Sequence, residues 1–252
     1  RPDAATVLYL MALEIRPQDA AISGKLAEIL QKNDSTGDRT ILAELENDDI
    51  RDRYIARVVN NQTFAEVGGL WGTVNEKVSV ASKYGAVSLT MIDVTPESAH
   101  IWQDFRDRMA SLNIANYNCI SQDINHIQLA EIGQPYDVVH CAGVLYHHPH
   151  PLQILMSLRQ ITGQYLILTS AFIPALGEAE RAILTAYWQQ YTYGTPILGV
   201  IEKAVFEIDN FGPWWWLPTA SALESMCKVA GFKVLDKGLT WYNNALTLLL
   251  GV

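Results

Sequence analysis

The sequence is poor in cysteine, in basic charge and in long apolar runs. Only Cys119, Cys141 and Cys227 occur in 252 residues. No two form a CxxC pair, which argues against a zinc site built on such pairs. A scattered, odd set also excludes a disulfide framework. A reducing, cytoplasmic setting is expected on that ground. Lys and Arg number 18 against 27 Asp and Glu, a net charge of −9. Affinity for nucleic acid rests on clustered cations, so this balance disfavours a broad phosphate-binding surface. No apolar stretch reaches the ~20 residues that span a bilayer, and no signal-peptide pattern opens the chain, so no membrane partner is expected. The first residue is Arg1 rather than Met, and a longer parent protein is expected. Hydrophobic residues make up 49% and charged residues 18%, enough to bury a core and too little charge for a disordered tail.

Residues 1–60 read as a helical segment. Leu8, Met11, Ala12 and Ile15 share one helical face until Pro17 interrupts it. Ala20, Leu26, Ala27 and Leu30 form the next apolar stripe. Polar, turn-forming residues at 33–39 predict a linker, and a charged helix is expected from about Thr40 to Asn60. From Thr63 the pattern becomes short apolar runs alternating with helical stretches. Strands are expected at Phe64–Val67, Val87–Ile92, Tyr117–Ile120, Asp137–Cys141 and Tyr165–Thr169. Between the second and third, Ile101, Trp102, Phe105, Met109 and Leu112 line one helix face, with Thr95-Pro96 as its start signal. Such alternation predicts a Rossmann-like, doubly wound α/β sheet, mostly parallel. Near the end, Ser221-Ala-Leu-Glu224 reads as a capping box for a helix that closes at Gly231. Two strands follow, at Lys233–Asp236 and Leu246–Leu250. The piece joining them is too short for a crossover helix, so the sheet should end in an antiparallel hairpin.

The candidate chemistry lies at the strand ends. The first strand runs into Glu66-Val-Gly68-Gly69-Leu70-Trp71-Gly72, a tight bend where a ligand can approach backbone. Asp93 ends the second strand and can accept both hydroxyls of a ribose, or cap the following helix. Asp123, in Gln122-Asp123-Ile124, can accept an exocyclic amine or simply sit in a surface turn. The fourth strand ends near Gly143 and continues through Tyr146, His147, His148 and His150. These groups lie at the carboxyl edge of a parallel sheet, where ligands bind. A metal is not expected, because histidines on a proline-bracketed loop seldom converge on one ion and no carboxylate or thiolate completes a set. One imidazole could serve as a general base, or each could simply bond backbone.

The ordered set Glu66-x-Gly68-x-x-x-Gly72, Asp93, Gln122-Asp123-Ile124, Tyr136-Asp-Val-Val and the terminal hairpin resembles a class I S-adenosylmethionine-dependent methyltransferase over residues 61–252. Gly143-Val-Leu-Tyr-His147, Pro151-Leu152 and Trp215-Trp-Leu-Pro-Thr219 make it similar to the group of the tRNA wobble-uridine carboxymethyltransferase. The resemblance implies that Glu66, Gly68, Gly69 and Gly72 surround the methionine end of S-adenosylmethionine. It implies that Asp93 holds the ribose, that Asp123 and Ile124 meet the adenine, and that Cys141 and Gly143 line the sulfonium. Tyr146, His147 and His148 would face the acceptor as catalytic candidates. The family's middle glycine is replaced by Leu70, followed by Trp71. The stretch Ala12–Ala20 resembles a junction of a tetratricopeptide repeat, through which a protein partner or a second copy could be gripped; the alternative is an amphipathic helical cap on the main domain.

Residues 172–220 are dense in aromatics, including Tyr187, Trp188, Tyr191, Tyr193 and Trp214–Trp216. They are expected to form an acceptor lid, a packed subdomain or an oligomer contact. Three functions follow in order of expectation. The first is methyl transfer to a small or carrier-held acceptor. The second is a non-catalytic binding module with its cofactor crevice blocked by Leu70-Trp71. The last is a tRNA-modifying methyltransferase.

Overall fold

The computed structural model describes residues 49–72, 76–127, 129–172, 216–241 and 245–252. The helices expected before residue 49, with their repeat-like junction, and nearly all of the aromatic segment lie outside the described residues. The first described helix, α1 (Ile50–Val58), falls within the range 40–60 where a charged helix is expected. It buries Tyr54 and Ile55 beside the sheet.

Seven strands form one sheet: β1 (Thr63–Val67), β2 (Ser88–Asp93), β3 (Asn118–Ser121), β4 (Tyr136–Ala142), β5 (Thr162–Ala171), β6 (Lys233–Thr240) and β7 (Ala245–Gly251). Their order is β3-β2-β1-β4-β5-β7-β6. The first five pair in parallel, whereas β7 runs antiparallel to both β5 and β6. The sequence expectation of a doubly wound sheet closed by an antiparallel hairpin therefore holds. Connecting helices are α2 (Val78–Lys83), α3 (His100–Ser111), α4 (Leu129–Ile132), α5 (Pro151–Ile161) and α6 (Ala220–Val229). Among the described residues no helix is long and apolar enough to cross a membrane.

The sheet is covered on both faces, so its inner strands are apolar on both sides. Phe64, Met91, Val138 and Ile167 join Trp102, Phe105 and Met109 of α3 in one core. Ala65, Val67, Val139, Cys141 and Leu168 join Leu155 and Leu158 of α5 and Leu223 of α6 in the other. The spacing of Trp102, Phe105 and Met109 puts three large side chains on one helical stripe, as read from the sequence. Leu112, placed on the same stripe, is exposed.

Two start signals act differently from expectation. Helix α3 begins at His100 rather than at Thr95-Pro96, because the Thr95 amide and hydroxyl are both taken by Asp93. Helix α6 is capped by Thr219, whose Oγ1 accepts from the Ala222 amide at 3.2 Å, and not by Ser221. Thr219 satisfies an amide donor that would otherwise stay unpaired, whereas the Thr95 amide is itself satisfied by the Asp93 carboxylate.

The strand order reverses between β1 and β4. The carboxyl ends of these two strands flank the crevice where open α/β sheets take ligands.

Candidate functional site

Strand β1 delivers Glu66 and then turns sharply. Gly68 has φ +76 and its amide donates to the Ile92 carbonyl at 2.9 Å. A Cβ on Gly68 would collide with the Val144 side chain, so β1 and the loop after β4 touch at a point only glycine can occupy. A Cβ on Gly69 would collide with the Glu66 carboxylate. Leu70 begins a short helical turn ending at Gly72, and its side chain is fully buried against the α3-side core with Phe64, Met91 and Phe105. It does not fill the crevice. Trp71 is half-buried.

Glu66 closes this loop from below. Its Oε2 accepts from the amides of Lys77 and Val78, at 2.7 and 3.1 Å, where the chain enters α2. Oε1 lies 3.2 Å from Nδ1 of His140, its neighbour in register on β4. That approach is not aligned as a hydrogen bond, and both His140 ring nitrogens are buried without one. Burial holds the His140 pKa below its ordinary value, with the Glu66 carboxylate opposing and the charges of Arg51 and Lys77 adding. Glu76 lies nearby, accepting from the Ser79 amide at 2.8 Å and from Arg108 Nε at 2.9 Å. Burial, then the Glu66 charge, raises its pKa.

Asp93 carries the clearest sign of a missing partner. Its Oδ1 accepts from Thr95 N at 2.9 Å and from Thr95 Oγ1 at 2.6 Å. Its Oδ2 is buried and accepts no aligned hydrogen bond. Burial raises the Asp93 pKa, and the Thr95 bonds and the Leu70 amide oppose that shift. A buried carboxylate oxygen without a donor is costly, so a ligand hydroxyl reaching it would gain more than at the surface.

After β3, Asp123 Oδ1 caps a short turn (Ile124–His126) by accepting from the Asn125 amide at 2.9 Å. Ile124 is buried in the α5-side core beside Val67 and Ile92. After β4, Cys141 is also in that core, and burial pushes its thiol pKa far up. Only the backbone of Cys141 is therefore available to a ligand. Gly143 has φ +77 and its amide donates to the Thr169 carbonyl at 3.2 Å. The atoms nearest a Cβ on it would be Tyr146 Oη at 3.6 Å and the Trp241 ring at 3.8 Å.

The loop beyond contains a short turn (Leu145–His147). Tyr146 is buried, and its ring lies 4.3 Å from that of His147, centroid to centroid. His147 and His148 are half-buried and His150 is exposed. His148 Nδ1 accepts from the His150 amide at 3.0 Å, and its Nε2 stands 3.4 Å from the Asn125 side-chain amide. Trp216 Nε1 donates to the Pro149 carbonyl at 2.9 Å. Among the described residues no three His, Cys, Asp or Glu side chains are grouped to hold a metal ion.

Glu66, Gly68, Gly69, Asp93, Gly143 and Tyr146 thus gather at the ends of β1, β2 and β4. Asp123 and His148 meet through Asn125. Four residues near the site escaped the sequence reading: His140, Arg51, Asn125 and Trp241. His140 was visible only as a polar residue inside an apolar strand. Arg51, whose guanidinium lies 5.7 Å from the Trp241 ring centre, had no signal of its own.

No family model matches the chain, and no curated protein matches it. Solved structures do. Magnesium protoporphyrin IX methyltransferase from Synechocystis, with bound SAH (S-adenosylhomocysteine), superposes with a TM-score of 0.53 at 14% identity, covering 84% of this chain and 80% of the other. The N-terminal domain of EvdMO1, in the presence of SAH and D-fucose, gives 0.53 at 16% identity, with 80% of each chain covered. A Rhodobacter sphaeroides protein provisionally named a Zn-dependent alcohol dehydrogenase gives 0.57 at 12%, covering 79% and 88%. The chain has the class I methyltransferase fold. The dinucleotide-binding fold of dehydrogenases is ordered 3-2-1-4-5-6. A seventh, antiparallel strand between β5 and β6 departs from it. At such identities likeness carries the fold, and activity has to be argued from the site.

Proposed function

We propose that the protein transfers a methyl group from S-adenosylmethionine to a small or carrier-held acceptor. The observation that carries this reading is Asp93 Oδ2, a buried acceptor with no well-aligned hydrogen bond, at the end of β2 beside the Gly68–Gly69 bend. A ribose hydroxyl would supply it with an aligned donor. Two structural neighbours crystallised with SAH support the same cofactor class.

Asp93 would hold the ribose and Asp123 Oδ2 the adenine amine. Backbone at Gly68, Gly69, Cys141 and Gly143 would line the path between them. Glu66 has Oε2 committed to the Lys77 and Val78 amides, so its part is to hold the loop in shape. The sulfonium, when bound, supplies an activated methyl and its own leaving group. What remains for the chain is to align the acceptor and keep water out. Tyr146 and His147 would face the acceptor. An oxygen acceptor needs a base, and an imidazole of this loop, His147 or His148, would supply it. A nitrogen acceptor can react without one.

The non-catalytic alternative rested on Leu70-Trp71 blocking the crevice, and burial of Leu70 in the core removes the leucine half of that ground. The tRNA alternative is disfavoured by the net charge of −9. Titration calorimetry with S-adenosylmethionine and SAH tests the proposal. Binding that is abolished by Asp93→Ala supports it, and no heat at millimolar cofactor overturns it.

A further inference from the structure

Asn125 stands between the turn that Asp123 caps and the histidine loop after β4. Its backbone amide donates to Asp123 Oδ1 at 2.9 Å. Its side-chain oxygen is 3.0 Å from Ser157 Oγ on α5, and its side-chain nitrogen is 3.4 Å from His148 Nε2. His148 Nδ1 in turn accepts from the His150 amide at 3.0 Å. Both ring nitrogens of His148 cannot accept at once, because a neutral imidazole carries one N–H. The backbone amide of His150 can only donate, so Nδ1 is the bare nitrogen and Nε2 carries the proton. Asn125 must then offer its oxygen to Nε2–H and its NH2 to Ser157 Oγ, which accepts. Exchange of the two amide atoms leaves their positions unchanged.

We propose that Asn125 is a positioning residue that couples the cofactor pocket to the acceptor loop, through a neutral His148 held as its Nε2–H tautomer. The inference rests on the methyltransferase reading above. A ligand amine on Asp123 steadies the Ile124–His126 turn. The Asn125 side chain passes that restraint to His148, and His148 fixes the His150 amide and with it residues 145–150. Order gained at one pocket is then gained at the other, and by linkage the effect runs both ways. His150, whose ring centroid is 5.9 Å from that of His148, is exposed and takes no part in the chain of bonds.

Hydrogen exchange with and without SAH tests the coupling. In the wild type, SAH should slow exchange of the amides at 145–150 by about 10-fold, within the range of ordinary site-to-site coupling. In Asn125→Ala that protection should vanish while SAH still binds. In Asn125→Asp, which keeps an oxygen for Nε2–H, it should largely persist. Protection of the loop that survives in Asn125→Ala overturns the proposal. Independently of any variant, nitrogen-15 spectra of the wild-type imidazoles should show His148 as the Nε2–H tautomer, and an Nδ1–H tautomer overturns it. Failure of SAH to bind the wild type at all overturns the methyltransferase reading, and the coupling with it. Binding without loop protection overturns the coupling alone.

Discussion

Glu66 and His140 face each other across adjacent parallel strands, Oε1 3.2 Å from Nδ1, and neither side chain reaches water. The pair lies on the same face of the sheet as Asp93, directly under the glycine bend. Its protonation therefore bears on both stability and site shape. His140 is kept neutral by burial, with a folded pKa below the unfolded value of ~6.5. The unfolded chain binds the extra proton first as pH falls. The stability this residue contributes is thus complete above about pH 6.5 and is lost progressively below it. Wild-type protein should lose melting temperature between pH 7 and 5 faster than His140→Gln. Parallel thermal melts of the two proteins check this, and equal slopes would contradict it.

Asp93 should trade stability for binding. Its folded pKa is raised by burial, so its charge destabilises the free protein at neutral pH. The sign is opposite to that of His140: stability is present below the unfolded pKa of ~3.9 and falls as pH rises through the folded value. Asp93→Asn keeps the acceptor for Thr95 and removes the buried charge. It should melt at a higher temperature than wild type at pH 7. It should also bind SAH about 10- to 100-fold more weakly, the equivalent of one charged hydrogen bond of about 1.5–3 kcal/mol. Calorimetry and thermal denaturation on the same preparation decide the matter.

The contact between the glycine bend and the loop after β4 can be probed in the same way. Gly68→Ala brings a Cβ into Val144 and places alanine at positive φ. The conformational cost alone is about 1–2 kcal/mol. Adding Val144→Ala should recover the steric part and leave the conformational part. Urea denaturation of the two single variants and the double variant measures the split. Full recovery in the double variant would mean that backbone strain is absent.

Thr169 and Thr247 share a hydrogen bond of 2.9 Å between hydroxyls that are fully buried where β5 pairs with β7. Removing one hydroxyl leaves the other orphaned, at a cost of about 1–3 kcal/mol, whereas removing both can be nearly neutral. Thr169→Val should therefore be less stable than Thr169→Val/Thr247→Val. The reverse order in denaturant melts would refute the pairing.

The sheet was legible wherever strands are buried on both faces, because continuous apolar runs leave few alternatives. Strand β6 was read as ending at Asp236 but extends to Thr240. It is an edge strand, and Lys237 and Gly238 follow no buried pattern. Thr95 misled as a helix start because its hydrogen-bonding groups serve Asp93, a use that spacing does not reveal. At the crevice, the placement of Gly68, Gly69, Asp93, Asp123 and Gly143 at or just beyond strand ends was legible, because strand ends follow from the apolar runs. His140 and Asn125 were not. Their roles come from partners on other elements, Glu66 on β1 and His148 beyond β4, which meet them only once the chain has folded.

The antiparallel insertion of β7 also bears on how the sheet is built. Every residue of β7 is buried, and it lies between two strands that are made before it. On the ribosome, β5 and β6 must wait with unpaired edges until the last of the seven emerges. An unpaired apolar edge invites wrong partners. Nascent chains stalled before Ala245 should therefore depend on chaperones, while released chains zip a single strand into a slot already flanked on both sides.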